Sequence, residues 1–596
     1  MKVVIIGAGP SGLVTAKSLL ENADANFPFE PIVLEQEHDI GGTFRYRTYE
    51  NASLVSSKQL TSFSDFRLPL SHPDHLTTEA YVYYLRAYID HFNLNDRIRL
   101  NTKVINVTRQ PEGGHVVSYV TRDSKDSEWG SGDIAEVATI HAPYIAVCTG
   151  LHVVPWIPSV PGIEHVVAAN GHIENPVFHS FEYKKRAQLK GKRIMILGTG
   201  ETGTDIAYEA AKAGAKEVVL CSRAGFLSFP KQLNDFEVFG YKSDKGPGIP
   251  LDSLITNLAE SAYVHPWVEG SHIRWFISDF VIKRLIWVLT GTQAGCNQWV
   301  GELEPERLGR AYVFLNKSQK AMPYINRPYR NRPKFLDYIA RYIDPPEDSP
   351  PQTDFAVDLA PFPTHFLPNG RAVFAPSKRK DYVRMKDRDV RPELVIYATG
   401  YKQEFGFLDK ESGYPTPDEA NVRNVVKEGD ESVGFIGFVR PGVGAIPPIA
   451  EMQTFFWISL LKGKVRQPMP PPRYHLLVKE TARIKYGVDH STYMSTLAKD
   501  IGAAPGLLEL WREYGTHVLI CYCFGAAFTT FYRLVGPYKS ASAPEIIKTE
   551  LWDTILRRGF LGNLIMGVIP MVFYLSLNAI AFSLGIAWTM VGGRVE

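Results

Sequence analysis

The sequence predicts an α/β protein with two Rossmann-like dinucleotide-binding domains, the second inserted in the first, followed by a helical C-terminal region and a transmembrane tail. Three observations carry this expectation. The chain opens on a β-branched run that ends in G-x-G-x-x-G; it repeats that signature at Gly198–Gly203; and it closes on a long stretch without charge. Its 596 residues leave room for about three to four domain-sized units. The expected order is a first nucleotide domain at 1–165, a second at 166–400 with a helical insertion at about 225–345, and a return segment to the first at 401–467. A helical region at 468–558 and a hydrophobic anchor at 559–593 complete it.

Val3, Val4, Ile5 and Ile6 read as a parallel strand buried on both faces. Gly7, Ala8, Gly9, Pro10, Ser11 and Gly12 follow as the glycine loop. Gly7 allows the tight turn, Gly9 lets the backbone approach a pyrophosphate, and Gly12 lets the next helix pack close. The amides that open that helix receive the phosphates. Pro31 to Leu34 form the next strand, and Glu35 ends it about 20 residues past the loop, where a ribose hydroxyl needs an acceptor. Gly41 and Gly42, with Thr43 and Phe44, suit close backbone passage over a flavin ring system.

The second signature repeats the first with one change. Lys192 to Leu197 are a strand, Gly198, Gly200 and Gly203 are the glycines of a motif that includes Thr202, and Thr204 and Asp205 open the helix that runs to Ala213. The next strand ends in Ser222-Arg223, a cation where the first motif carries an acid, as the 2′-phosphate of NADP requires. Two motifs, one tipped by an acid and one by arginine, imply FAD and NADPH held by separate domains. Electrons then pass from a nicotinamide to a flavin. Tyr144 to Gly150 and Leu394 to Gly400 are strands that both end in Thr-Gly. Asn369-Gly370 marks a hairpin, and the helix Ile449 to Leu461 returns the chain to the first domain.

Other stretches read less sharply. Residues 51–70 form an irregular polar loop beside the expected site, and Glu79 to Phe92 have helical periodicity. Arg97 to Ile140 read as strands around a loop at 123–133. Ile273 to Thr290 are amphipathic, 344–353 a loop, and 468–472 a stiff linker.

Composition narrows the function. A net charge of +2 gives no electrostatic case for nucleic acid. Five scattered cysteines fit neither a disulfide framework nor a metal site, so no metal is expected and the thiols are read as reduced. From Gly559 to Gly593 no residue is charged, whereas about 20 apolar residues span a bilayer. Arg557 and Arg558 precede the run, as expected on a cytoplasmic side. Gly567, Pro570 and Asn578 leave open one kinked helix or a re-entrant hairpin.

These motifs resemble those of the flavin-containing monooxygenases of the dimethylaniline N-oxygenating type. Gly7–Gly12, Asp39–Gly42, Val55–Lys58, His179-Ser180 with Tyr183, Gly198–Gly203 and Ala398–Tyr401 fall in the family's order. So do Phe438–Pro441, Ala445–Pro448, Glu451 and Tyr532–Pro537, so the resemblance spans nearly the whole chain. It implies FAD, NADPH and O2, a small-molecule substrate, and a membrane-anchored enzyme on the endoplasmic reticulum facing the cytoplasm; a homo-oligomer stays open. It also implies a C4a-hydroperoxyflavin that oxygenates a soft nitrogen or sulfur nucleophile. The alternatives are an uncoupled oxidase releasing hydrogen peroxide and Baeyer–Villiger oxygenation of a ketone.

The chain departs from the family pattern in places. Ile173 and Asn175 stand where Phe and Gly are usual, Tyr183 leans away from the Baeyer–Villiger relatives, and Phe44 replaces a tryptophan. Val55 falls where the family carries an active-site asparagine, and valine offers no donor or acceptor. Asn51 and Ser56 are the residues that could compensate, and Ser56 is the catalytic candidate. His179 is expected to be a hydrogen-bonded structural histidine rather than a base.

Overall fold

The computed structural model describes residues 1–122, 137–255, 264–273, 315–325, 335, 355–466, 469–476 and 485–593, with short gaps inside 229–247 and at 270, 272, 318 and 470. The expected loops at 123–133 and 344–353, the amphipathic stretch from 274 to 290 and most of the 225–345 insertion lie outside the described residues.

Two five-stranded parallel sheets organise the chain. The first runs Val433–Phe435, Tyr144–Val147, Lys2–Ile6, Glu30–Leu34, Ile98–Arg99. The second runs Val357–Pro361, Glu217–Ser222, Arg193–Leu197, Leu394–Tyr397, Val177–His179. Every strand of the second sheet falls in sequence between Tyr144–Val147 and Val433–Phe435, so the second domain is inserted in the first. In both sheets the strand that feeds the glycine loop is central, and its two neighbours lead to opposite sides. That is the topological switch point at which such sheets open a crevice. Val3, Val4 and Ile5 are fully buried, as a parallel strand covered on both faces requires.

Smaller elements flank these sheets. Thr102–Arg109, His115–Thr121 and Ala138–Ala142 form an antiparallel sheet. Pro363–Phe366 pairs with Ala372–Phe374 across Asn369-Gly370. The insertion was expected to be helical, yet its described start is β: Gln232–Leu233 pairs with Ile249–Pro250, and Phe236–Val238 with Tyr241–Ser243.

The helix Ile446–Leu461 is buried on all sides from Pro447 to Ser459 and packs on the helix Pro10–Glu21. A helix apolar all round belongs to a core. It nevertheless carries Glu451, fully buried, whose carboxylate accepts from Ser64 N–H at 3.0 Å and Ser64 Oγ at 2.6 Å. Arg533 lies 3.6 Å from Glu451 and 3.1 Å from Asp65, and Asp65 also pairs with Lys17. This network fastens the first helix, the 58–66 segment, the core helix and the C-terminal region together.

The C-terminal region is helical at His490–Asp500 and Leu507–Phe524. From Gly559 to Met590 the chain is one helix of 32 residues, long and apolar enough to cross a membrane. This decides between helix and hairpin. A π-turn at Leu564–Val568 ends two residues before Pro570. The wider turn relieves the clash between a proline ring and the carbonyl one turn back. Pro570, Tyr574, Asn578, Ala581 and Gly585 form a buried stripe at helical spacing. Asn578 Oδ1 accepts from His265 N–H at 2.7 Å, so the helix is docked along that stripe. Leu575, Ile580 and Ile586 on its other faces are 68%, 59% and 58% exposed.

Candidate functional site

The two glycine loops are built alike. Gly7 has φ +108°, and a Cβ there would stand 2.8 Å from Cys148 O; a Cβ at Gly12 would stand 1.9 Å from Gly7 O. Gly198 has φ +124° with Ala398 O at 2.3 Å, and Gly203 meets Gly198 O at 2.0 Å. These four positions exclude any side chain. The middle glycines differ. A Cβ at Gly9 would meet only Gly42 Cα, at 4.0 Å, and one at Gly200 would meet nothing within 4 Å. Gly9 and Gly200 therefore leave the backbone bare on an open side. Both are N-caps of the helices Pro10–Glu21 and Glu201–Lys212, and neither helix has a side-chain cap. The first-turn N–H groups are thus left for a ligand, and a dinucleotide pyrophosphate fits both cradles.

Glu35 closes the first cradle. Its Oε2 accepts from Ala8 N–H at 2.6 Å and its Oε1 from Glu37 N–H at 3.0 Å. Burial pushes the carboxyl pKa up, and the two amides pull it back. Two carboxylate oxygens offer about four acceptor sites, so capacity remains for a ribose hydroxyl. Gly41 N–H donates to Ala8 O at 3.0 Å, and Gly42, at φ +52°, runs against Gly9. Thr43 and Phe44 begin the short helix that follows, with the Phe44 ring edge-on to Tyr81 at 4.7 Å. The return segment reaches the same loop: a Cβ at Gly437 would lie 2.4 Å from Ser11 Oγ.

The second cradle ends in cations. Arg223 lies over the Trp156 ring at 5.4 Å and the Phe362 ring at 6.0 Å. Arg379 was not anticipated. It donates to Ser222 O at 3.2 Å, Ser222 Oγ at 2.8 Å and Arg223 O at 2.8 Å, and it pairs with Asp381. Asn316, also unanticipated, donates to Thr199 O at 3.0 Å and Thr204 Oγ1 at 3.2 Å, bracing the loop. Thr202 is half-buried on the first turn of the helix. Asp205 is turned away from the loop and accepts from Tyr49 OH at 2.8 Å, across to the first domain.

The segment around Val55 joins the two cradles. Val55 is half-buried, and Ser56 is buried with its Oγ 2.6 Å from Thr61 Oγ1. Asn51, at φ +62°, is exposed and points its amide at Glu209 Oε2, 3.3 Å away. Neither therefore supplies at Val55 the amide that valine lacks. Lys58 is buried and donates to the carbonyls of Pro69, Leu70 and His72, which closes the segment on itself. His179 donates from Nε2 to Gly400 O at 3.0 Å and accepts at Nδ1 from Phe181 N–H at 3.1 Å. Both nitrogens are committed and burial lowers its pKa, so it is structural.

A family model described as FMO-like, flavin-binding monooxygenase-like, matches residues 1–242 and 383–564. Monooxygenase ptmN of Penicillium ochrochloron is 41% identical over 94% of this chain and 90% of its own. Monooxygenase cfoE of Aspergillus candidus is 38% identical over 97% and 98%. The N-oxide-forming dimethylaniline monooxygenase 2 of Oryctolagus cuniculus is 26% identical over 92% and 91%. Among solved structures, the S-allyl-L-cysteine S-oxygenase of Allium sativum matches with TM-score 0.50 at 15% identity, covering 84% of this chain and 88% of that one. OTEMO in complex with FAD and NADP also gives 0.50, at 14% identity and 78% and 85% coverage. Both share the fold.

Proposed function

The chain belongs to the flavin-binding monooxygenase-like family, and from that premise we propose that it uses NADPH, FAD and O2 to oxygenate a soft nucleophile, nitrogen or sulfur, on a small molecule. It is a flavin-dependent monooxygenase with FAD and NADPH as cofactors. The observation that carries the reading of two cofactors is the pair of open cradles, acid-tipped and arginine-tipped, at the switch points of two parallel sheets, and the choice of nitrogen or sulfur rests on the resemblance to the family.

FAD would lie over Gly7, Ala8, Gly9, Pro10, Ser11 and Gly12, its ribose against Glu35 and its ring system past Gly42, Thr43, Phe44, Val55 and Ser56. NADPH would lie over Gly198, Gly200, Thr202, Gly203 and Thr204, with its 2′-phosphate at Arg223. Bound together, the two supply hydride transfer between rings and the activation of O2. The protein positions the rings and keeps water out, because a dry site protects reactive intermediates. Arg379 holds the Ser222–Arg223 turn in place for the phosphate. The exposed apolar faces of the 559–590 helix support a membrane anchor, and Arg557 and Arg558 support a cytoplasmic orientation, on the endoplasmic reticulum by analogy with the family.

A second reading, peroxide release, is favoured by one observation: Val55 carries no hydrogen-bonding group, and Asn51 and Ser56 are engaged elsewhere. One experiment separates the readings. The purified protein is given NADPH with panels of thioethers, amines and ketones, and both oxygenated product and peroxide are quantified. Sulfoxide or N-oxide formation is expected. Ester formation from ketones alone, or peroxide alone, overturns the N- or S-oxygenase reading.

A further inference from the structure

Among the described residues, Ser57 Oγ, both ring nitrogens of His75 and Nδ1 of His490 are buried polar atoms without a hydrogen-bond partner. They come from segments far apart in sequence, yet contacts and charges bring those segments to one region. Ser57 N–H donates to Asp252 Oδ2 at 2.6 Å. His75 lies within charge range of Asp252, Lys231, Lys317 and Asp74, and His490 within range of Asp489, Asp252 and Lys317. Lys317 Nζ is 3.5 Å from Gly444 O, and a Cβ at Gly444 would stand 2.6 Å from His490 Nδ1. Lys231 Nζ donates to Ser53 Oγ at 3.0 Å, which brings it to the same segment as Val55. The first domain, the insertion and the 444–490 region meet here.

A buried polar group without a partner is costly, and native proteins keep few of them. Four such atoms gathered beside the segment that carries Val55 and Ser56 point to a ligand that completes them.

The chemistry of the four atoms narrows that ligand. His490 Nε2 faces Ala527 O at 3.3 Å and donates to it, which leaves Nδ1 an acceptor. Burial holds His490 and His75 neutral, each lowered to about 4. His75 therefore offers one donor and one acceptor, and the Ser57 hydroxyl offers both. The flanking charges nearly cancel, with Lys231 and Lys317 set against Asp252 and against Asp74, which is itself paired with Arg557 at 2.6 Å. An ammonium meets the like charge of two lysines and a carboxylate meets that of the aspartates, and a purely apolar group leaves every atom unpaired. A hydroxyl, which donates once and accepts twice, matches three of them: it donates to His490 Nδ1 and accepts from the Ser57 hydroxyl and the His75 N–H.

We propose that Ser57, His75 and His490 form the site that recognises a neutral hydroxyl group on the substrate, with His75 as the specificity-determining residue. This rests on the reading that the chain oxygenates small molecules at a soft atom. A site built to hydrogen-bond a substrate hydroxyl discriminates strongly against the analogue that lacks it.

Three matched thioethers test it on the full-length, FAD-loaded protein in detergent: thioanisole, 4-(methylthio)phenol and 4-(methylthio)benzylamine. Sulfoxide formation is followed as kcat/KM. The wild type is expected to favour the phenol over thioanisole by about tenfold or more, and to disfavour the amine. In His75→Phe the phenol-to-thioanisole ratio falls toward one, through KM, and His75→Asn restores part of it. Ser57→Ala lowers the same ratio and serves if His75→Phe does not fold. A wild-type ratio near one, or equal loss on all three thioethers in the variants, overturns the proposal. Loss of FAD content or of NADP⁺ affinity in the variants overturns it too, since the groups would then serve a cofactor. If no thioether is oxygenated, the oxygenase reading fails separately. Dissociation constants of the phenol and thioanisole, read from perturbation of the flavin spectrum in wild type and His75→Phe, then decide the recognition claim.

Discussion

At the scale of single residues, Val55 and the two arginines of the second cradle carry the sharpest expectations. Val55→Asn restores an amide where valine has none, and the peroxide released per NADPH consumed falls. An unchanged ratio shows that the position does not govern coupling. Arg379→Ala frees the Ser222–Arg223 turn, and a guanidinium-phosphate contact is specific because its fork must be aimed. KM for NADPH therefore rises about tenfold while kinetics with NADH stay put; a parallel loss with NADH would mean general damage to the domain. The glycines and Glu35 were legible in the sequence because each answers to its own backbone or to the strand next to it. Arg379, Asn316 and His75 were not legible. Arg379 sits 157 positions from the serine it holds, and no local pattern marks such a partnership.

Buried histidines set the acid limb of stability at this same scale. His75, His115 and His490 are each lowered to about 4, mainly by burial. A depressed histidine binds fewer protons folded than unfolded, so its contribution is full above pH 6.5 and is lost as pH falls toward 4. Glu451, raised to about 7, works the other way and gains stability as pH falls from 7 toward 4.5. Between pH 7 and 5 each histidine loses about 2 kcal/mol and Glu451 returns about 2 kcal/mol. The three histidines outweigh the one glutamate, so the protein is weaker at pH 5. The urea midpoint is expected to be lower at pH 5 than at pH 7, and an equal or higher midpoint contradicts the burial of these imidazoles.

At the scale of elements, the tail helix has two faces with separate jobs. The sequence disclosed its length and lack of charge but not its docked stripe, because Pro570, Tyr574, Asn578, Ala581 and Gly585 share no chemistry that periodicity detects. Leu575→Glu with Ile580→Lys alters only the exposed faces. In vesicle flotation the double variant stays at the bottom while flavin content is kept. Gly567→Leu strikes the other side: a Cβ there would stand 2.5 Å from the Phe524 ring, so the cost falls on stability. Thermal unfolding comes earlier in Gly567→Leu, with flotation retained. If both variants lose flotation and stability alike, the two faces do not divide the work. The described start of the insertion was misjudged as helical for a related reason. Its strands are only two or three residues long, too short to show a period of two.

At the scale of the whole molecule, the arrangement depends on how a discontinuous first domain is held closed around its insertion. The sheet itself recovers its last strand, Val433–Phe435, only after the second domain is complete. The C-terminal region shares one apolar core with the first domain, and ion pairs add a polar lock: Arg533 with Asp65 and Glu451, Arg67 with Glu550 at 2.8 Å, and Arg557 with Asp74 at 2.6 Å. The sequence offered Glu451 and Arg533 only as members of separate motifs, since an ion pair across so many residues leaves no spacing to read. Removing one partner of a buried pair strands the other, at a cost of about 3–5 kcal/mol, whereas removing charge from both is close to neutral. Arg533→Met leaves Asp65 and Glu451 facing each other with Lys17 as the remaining cation, so its thermal midpoint drops by several degrees and FAD is released at the lower temperature. Glu451→Gln keeps the hydrogen-bonding shape and costs less. Combining Arg533→Met with Glu451→Gln recovers part of the loss, because the second change removes a carboxylate that the first left uncompensated. Simple additivity of the two losses would mean that these residues act as independent contacts and that the closure of the first domain rests on apolar packing alone.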